Sequence, residues 1–166
     1  MLPFLASTLS VHYPDVGRNP LAPGCGNGDF SGDSKCVYTY ITGDDAHPIV
    51  STANCTIQTS DLDTGCATTE TTRVYARTLG SHDGVDDDDA GHILAHRLGG
   101  NGREPTNIFP QAPGDNRGPW REFEADIYDC IQGGGGGSAV IGWSFDYKSR
   151  TNTRPYQVRV SSTHTL

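Results

Sequence analysis

Residues 89 to 124 constrain the fold of this chain more than any other stretch. The segment opens on Asp89-Ala-Gly-His92 and continues His92-Ile-Leu-Ala, a short apolar run that reads as a strand. Gly99-Gly-Asn-Gly102 breaks that run as a loop, and Thr106-Asn-Ile-Phe109 reads as the antiparallel partner strand. Pro110, Pro113 and Gly114 end the second strand. A helix follows, capped by Asp115 or Asn116, with Pro119 tolerated in its first turn. Trp120, Phe123, Ile127 and Ile131 recur at helical spacing, so one face of this helix packs inward. The run Gly133 to Gly137 stops the helix and, natural or engineered, is a flexible joint. A strand–loop–strand–helix unit over 86–132 is therefore expected.

The remaining chain reads mainly as strands. Residues 1–70 are expected to be loop-rich with short strands, at Val37-Tyr-Thr-Tyr-Ile41, Pro48-Ile-Val-Ser and Cys55-Thr-Ile-Gln. Thr71 to Leu79 alternates and predicts a longer strand, with Val74 and Ala76 opposed to Arg73, Tyr75 and Arg77. A C-terminal hairpin is expected over 138–161, its loop from Asp146 to Thr153. The length of 166 residues suits one α+β domain, 1–166, with a real core.

Five cysteines occur without any C-x-x-C pair, which argues against a zinc ribbon. Glycine and aspartate around Cys25, Cys36, Cys55 and Cys66 suit two surface disulfides and an oxidising, secreted setting, with pairing and the state of Cys130 left open. Met1 to Ala6 lacks a basic segment and a long apolar run, so a signal peptide is expected to have been removed before this numbering begins. No apolar run approaches a membrane span. The net charge of -8 disfavours nucleic acid as a partner if taken alone, but binding depends on local charge. Asp86 to Asp89 read as a solvated acidic loop.

Three motifs stand in order: Asp89-Ala-Gly-His92, then Asn107-Ile-Phe-Pro-Gln111, then Asn116-Arg-Gly-Pro-Trp120 with Glu124 downstream. Together they resemble the ββα-metal core of the DNA/RNA non-specific endonucleases, whose signature is D-R-G-H, N-x-x-P-Q and L-N-x-G-x-W leading into a helix with a Glu. Arg154-Pro155 and the strand after it look like the tail of bacterial members. The resemblance implies a ββα-metal nuclease core with additional antiparallel strands, hydrolysing DNA or RNA to 5′-phosphate products. His92 would be the general base, since a neutral imidazole takes a proton from water near pH 7. Gly91 would leave room for phosphate to approach. Asn116 would hold Mg²⁺, with Mn²⁺ as a substitute, through its amide oxygen. Glu124 would orient water, and Asn107 would position the metal ligand or the phosphate. Asp89 shapes the turn or fixes a hydrogen bond. The family's usual arginine after the Asp is Ala90 here, so a phosphate clamp comes from elsewhere or is absent, with Arg77, Arg97 and Arg121 as the candidates. Pro119 also departs from the pattern and bears on the aim of Asn116.

Other chemistries fit less well. His92 and His96 stand four apart like a zinc-protease pair, but Ile93 occupies the glutamate position. His96 reads better as a satisfied structural histidine. Gly32-Asp33-Ser34 faintly suggests a serine nucleophile, with no matching histidine region before it. Two alternatives stay open beside the secreted nuclease. One is a toxin domain neutralised by an immunity protein or inhibitor. The other is a disulfide-stabilised binding module without catalysis.

Overall fold

The computed structural model describes residues 35–41, 49–133 and 137–165. Two antiparallel sheets carry the described chain. The larger holds β1 (Cys36–Ile41), β2 (Ile49–Gln58), β5 (Ser138–Asp146) and β6 (Gln157–Thr165), in spatial order β1-β2-β5-β6. The smaller pairs β3 (Asp89–His92) with β4 (Ile108–Gln111). The helices are α1 (Glu70–His82), α2 (Pro113–Arg117) and α3 (Pro119–Gly133). This is an α+β architecture with antiparallel strands around a small hairpin-and-helix unit.

The core forms where the inward face of the large sheet meets α3. Alternation in β2 and β5 turns Ala53, Cys55 and Ile57, with Ala139, Ile141, Trp143 and Phe145, to one side. Trp120, Phe123, Ile127 and Ile131 on α3 join the same apolar cluster, as their spacing predicts. Phe109 of β4 is fully buried and meets Trp120 and Phe145 edge-on, with ring centroids 5.5 and 6.3 Å away. That one side chain anchors the small hairpin to both the helix and the large sheet. Cys36 and Cys55 are register partners across β1 and β2 and form a disulfide. Cys66 is also disulfide-bonded, and Cys130 is free. Cys25 and the Gly32-Asp33-Ser34 motif lie outside the described residues.

Several elements differ from the sequence reading. Thr71 to Leu79 is not a strand but most of α1. Thr72, Ala76, Leu79 and Gly80 are its buried residues, a helical rather than alternating period. One of the β-branched residues that suggest a strand, Thr72, instead completes the helix's cap: Thr69 and Thr72 exchange side-chain-to-backbone bonds in a capping box. The two short strands expected around Ile49 and Cys55 are one continuous β2. The first hairpin strand stops at His92 instead of running on to Ala95, and Ile93 to Ala95 turn into the core. Pro110 lies within β4, opposite Ala90, where a two-stranded sheet leaves an open edge needing no further donor. The helix begins earlier, as α2, and breaks at Gly118 before α3.

The acidic run is not a solvated loop throughout. Asp88 is 3% exposed and accepts two bonds from the Arg154 guanidinium, at 2.6 and 2.9 Å. Asp83 accepts the backbone N–H groups of Thr153 and Arg154. These bonds fasten the β5–β6 turn to the segment between α1 and β3. Breaking a buried pair by removing one partner strands the other charge. Asp88→Asn should therefore lower the free energy of unfolding by about 3 kcal/mol. Urea denaturation measures this, and a loss under about 1 kcal/mol would show that the pair behaves as a surface contact.

Candidate active site

The site is assembled on β3, the loop after it, and α2. His92 ends β3, opposite Ile108 of β4. Beyond this pair the ladder stops, and Asn107 takes over. Its backbone carbonyl accepts the Ile93 N–H at 2.8 Å. Its side-chain oxygen accepts the Leu94 N–H at 2.9 Å, and its amide nitrogen donates to the carbonyls of Leu94 and Asn101. Asn107 is 1% exposed, so this amide faces loop backbone and not solvent. Expected to position the metal ligand or the phosphate, Asn107 here clamps the loop that follows His92.

The His92 ring is partly buried, and its Nε2 lies 3.3 Å from the Cys66 carbonyl oxygen. A carbonyl only accepts, so Nε2 carries the proton and Nδ1 holds the lone pair. Burial pushes the His92 pKa down to about 4, aided by His96 and opposed by the Cys66 carbonyl. The ring is thus neutral at physiological pH, the state a general base requires. His96 is exposed, with its ring centroid 5.9 Å from that of His92. Gly91 does not open a path for phosphate: Gln111 and Phe109 of β4 fill the space where a Cβ would stand.

Asn116 sits in the last turn of α2, not at a helix cap, with its N–H bonded to the Ala112 carbonyl. Its amide nitrogen donates to Asp89 Oδ2 at 3.1 Å. A carboxylate offers only acceptors, so Asp89 fixes the amide's orientation and leaves Oδ1 for a cation. Arg117 donates to both Asp89 oxygens, at 2.8 and 2.7 Å. Burial raises Asp89, but the Arg117 and Asn116 bonds outweigh it and hold its pKa below the ordinary value. Among the described residues no three His, Cys, Asp or Glu side chains cluster to hold a metal. The donors present are one neutral amide oxygen beside a carboxylate. That suits a hard cation that keeps most of its water.

Glu124 lies on α3, and burial lifts its pKa to about 7 against the pull of Arg97, Trp120 and Arg121. Arg97 lies over the Tyr128 ring, 4.8 Å from its centroid. Tyr128 in turn donates to Asp63 at 2.6 Å. Arg77, on α1, is paired with Glu70 at 2.9 Å. The motif order did not disclose Arg117 or the Cys66 carbonyl. An arginine beside a candidate asparagine is a weak signal, and a backbone carbonyl gives none.

Residues 39–162 match the family model described as DNA/RNA non-specific endonuclease. The chain belongs to the DNA/RNA non-specific endonuclease family. It is also 43% identical over 106 residues to the probable deoxyribonuclease RhsA of Dickeya dadantii (strain 3937), covering 64% of this chain. The chain spans only 7% of that relative's length. No solved structure gives a significant match. The residues above are the candidate machinery of a domain of this family.

His92 and Glu124 make opposite demands on pH. His92 is depressed from 6.5 to about 4, so its share of stability is present above pH 6.5 and is lost as pH falls toward 4. Glu124 is raised from 4.5 to about 7, so its share is present below pH 4.5 and is lost as pH rises through 7. The two oppose each other between these limits. Relative to the parent, Glu124→Gln should make stability climb more steeply with pH in that window, and His92→Gln less steeply. Each change is at most about 1.4 kcal/mol per pH unit. Parallel denaturation curves for all three proteins across pH 4.5 to 6.5 would contradict both burial effects.

Proposed function

We propose that this domain is a Mg²⁺-dependent endonuclease that cuts DNA or RNA to 5′-phosphate ends. The observation that carries the reading is the tie between Asp89 and Asn116. It joins the strand that bears a neutral imidazole to an amide oxygen aimed away from its only charged partner. His92 Nδ1 takes a proton from the attacking water, while Nε2–H stays bonded to Cys66. Asn116 holds the cation through Oδ1, steadied by Asp89. When bound, Mg²⁺, or Mn²⁺ in its place, supplies positive charge against the departing 3′ oxygen. Glu124, with a pKa of about 7, orders water beside the site. Arg97 and Arg121, the arginines that act on Glu124, replace the clamp lost at Ala90, while Arg77 is engaged by Glu70.

The proposed setting is export. The Cys36–Cys55 disulfide supports it, and among the described residues no helix is long and apolar enough to cross a membrane. A second reading keeps the chemistry and changes the biology. The relative named as a probable deoxyribonuclease is many times longer than this chain. That favours a toxin domain that is part of a much larger carrier, held inactive by an immunity protein in the producing cell.

Plasmid DNA and RNA, each incubated with Mg²⁺ and with EDTA, test the activity. Cleavage of at least one substrate should need Mg²⁺ and should fall by about a thousandfold or more in His92→Ala. An inert parent protein on both substrates, with Mg²⁺ and with Mn²⁺, would leave the binding module as the surviving reading. Asn116→Ala should fold normally and lose cation binding; unchanged Mg²⁺ or Mn²⁺ titration by calorimetry contradicts its role. Arg97→Ala should raise KM about tenfold and Arg77→Ala less than twofold. Steady-state cleavage of a defined duplex separates them, and equal effects would remove Arg97 from the phosphate path.

A further inference from the structure

Outside the motif, α1 reaches the base through backbone. Thr72 is 1% exposed. Its hydroxyl lies 2.9 Å from the Gly102 carbonyl and 3.1 Å from the Thr69 carbonyl, and its one proton goes to the nearer acceptor. The Gly102 N–H donates to the Cys66 carbonyl at 2.8 Å. That same carbonyl oxygen accepts from His92 Nε2. The Cys66 segment is held from its other side too, because the Cys66 N–H donates to the Gly100 carbonyl at 3.0 Å. A Cβ on Gly102 would stand 2.5 Å from His92 Nε2 and 2.6 Å from the Cys66 carbonyl oxygen. Only glycine lets the loop close against the imidazole here.

We infer that Thr72 and Gly102 are positioning residues that seat the His92 imidazole in its Nε2–H tautomer. This rests on the reading of His92 as the base. The physical reason is the single accepting oxygen. An imidazole in water exchanges its two neutral tautomers, and only one presents Nδ1 as the base. A carbonyl pinned in place by Gly102 rewards the proton on Nε2 and fixes the ring's direction. If the carbonyl drifts, both tautomers populate and the lone pair loses its aim. Misplacement of a reacting group by about 1 Å can cost a hundredfold in rate. The hydroxyl of Thr72 sets where Gly102 stops, so a helix that touches no reacting atom controls the base.

The test compares Thr72→Val, Thr72→Ser, Gly102→Ala and His92→Ala in Mg²⁺-supported cleavage of a defined duplex. Imidazole ¹⁵N spectra of the first three and of the parent report the His92 tautomer. The parent and Thr72→Ser should show a single Nε2–H form. Thr72→Val should show mixed tautomers, with kcat down about tenfold to a hundredfold and KM within twofold. Gly102→Ala should lose at least as much in kcat; because its Cβ also meets backbone, Thr72→Val is the deciding comparison. A helix-capping role alone would lower the melting temperature of Thr72→Val and leave tautomer and kcat as in the parent. That result, beside an inactive His92→Ala, overturns the seat and keeps the base. Full activity in His92→Ala overturns the base assignment, and the seat with it.

Discussion

The buried amide of Asn107 is the interaction on which the site's geometry rests. A two-stranded hairpin has little to hold it once pairing ends, because each further residue costs backbone entropy without a ladder bond. Here the ladder ends at His92 and Ile108. Asn107 extends it with a side chain that accepts from Leu94 N–H and donates to the Leu94 carbonyl. An amide mimics a peptide group, so one residue replaces a further pair of strand bonds. It also reaches the Asn101 carbonyl, fixing the loop whose next residue is Gly102. A buried amide stabilises only when its partners are in place, so the loop and the end of β3 are ordered together or not at all.

From that clamp the apolar and polar parts of the fold separate cleanly. Phe109 carries the hairpin into the core beside Trp120 and Phe145. Ile93, Leu94, Ala95 and Leu98 bury the outgoing chain. The polar side is left to His92, Asp89 and Asn116. Dispersion and water exclusion fix where the backbone runs, and a few charge-assisted bonds then set the direction of each functional side chain. Asp89 shows the division well. Its backbone pairs with Gln111 in β3–β4, while its carboxylate turns outward to Asn116 and Arg117.

The face of α3, the C-terminal hairpin and the ordering of His92, Asn107 and Asn116 were legible in the sequence because each has local punctuation or periodicity. α1 was not. Thr71, Thr72, Val74 and Thr78 raise β-propensity, and alternation over nine residues looks like a strand. The helical signal was present in the buried spacing of Thr72, Ala76 and Leu79 and in the Thr69 cap, but propensity masked it. The motif picks out Asn107 but not its bonds to loop backbone, because its residue type says nothing about whether the amide faces a ligand or a loop. Pro110 reads as a strand end, since nothing local says that β4 has an unpaired edge. The Cys66 carbonyl was invisible, as every residue has one.

The charge problem posed by the sequence also resolves locally. A net charge of -8 and a run of aspartates before the motif should repel a phosphate chain. Two of those aspartates are matched inside the fold, Asp88 by Arg154 and Asp89 by Arg117. Burial holds His92 neutral and moves Glu124 to about 7, so near neutrality this carboxyl carries only part of its negative charge. A charge that is paired or half-titrated projects a weak field, and at physiological salt the unpaired surface acids fade within about 8 Å. Arg97 and Arg121, which act on Glu124, therefore face a carboxyl that is only partly charged near neutrality. A phosphate can approach such a site even though the chain as a whole is acidic, and its approach should strengthen Glu124's neutral form by bringing further negative charge beside it.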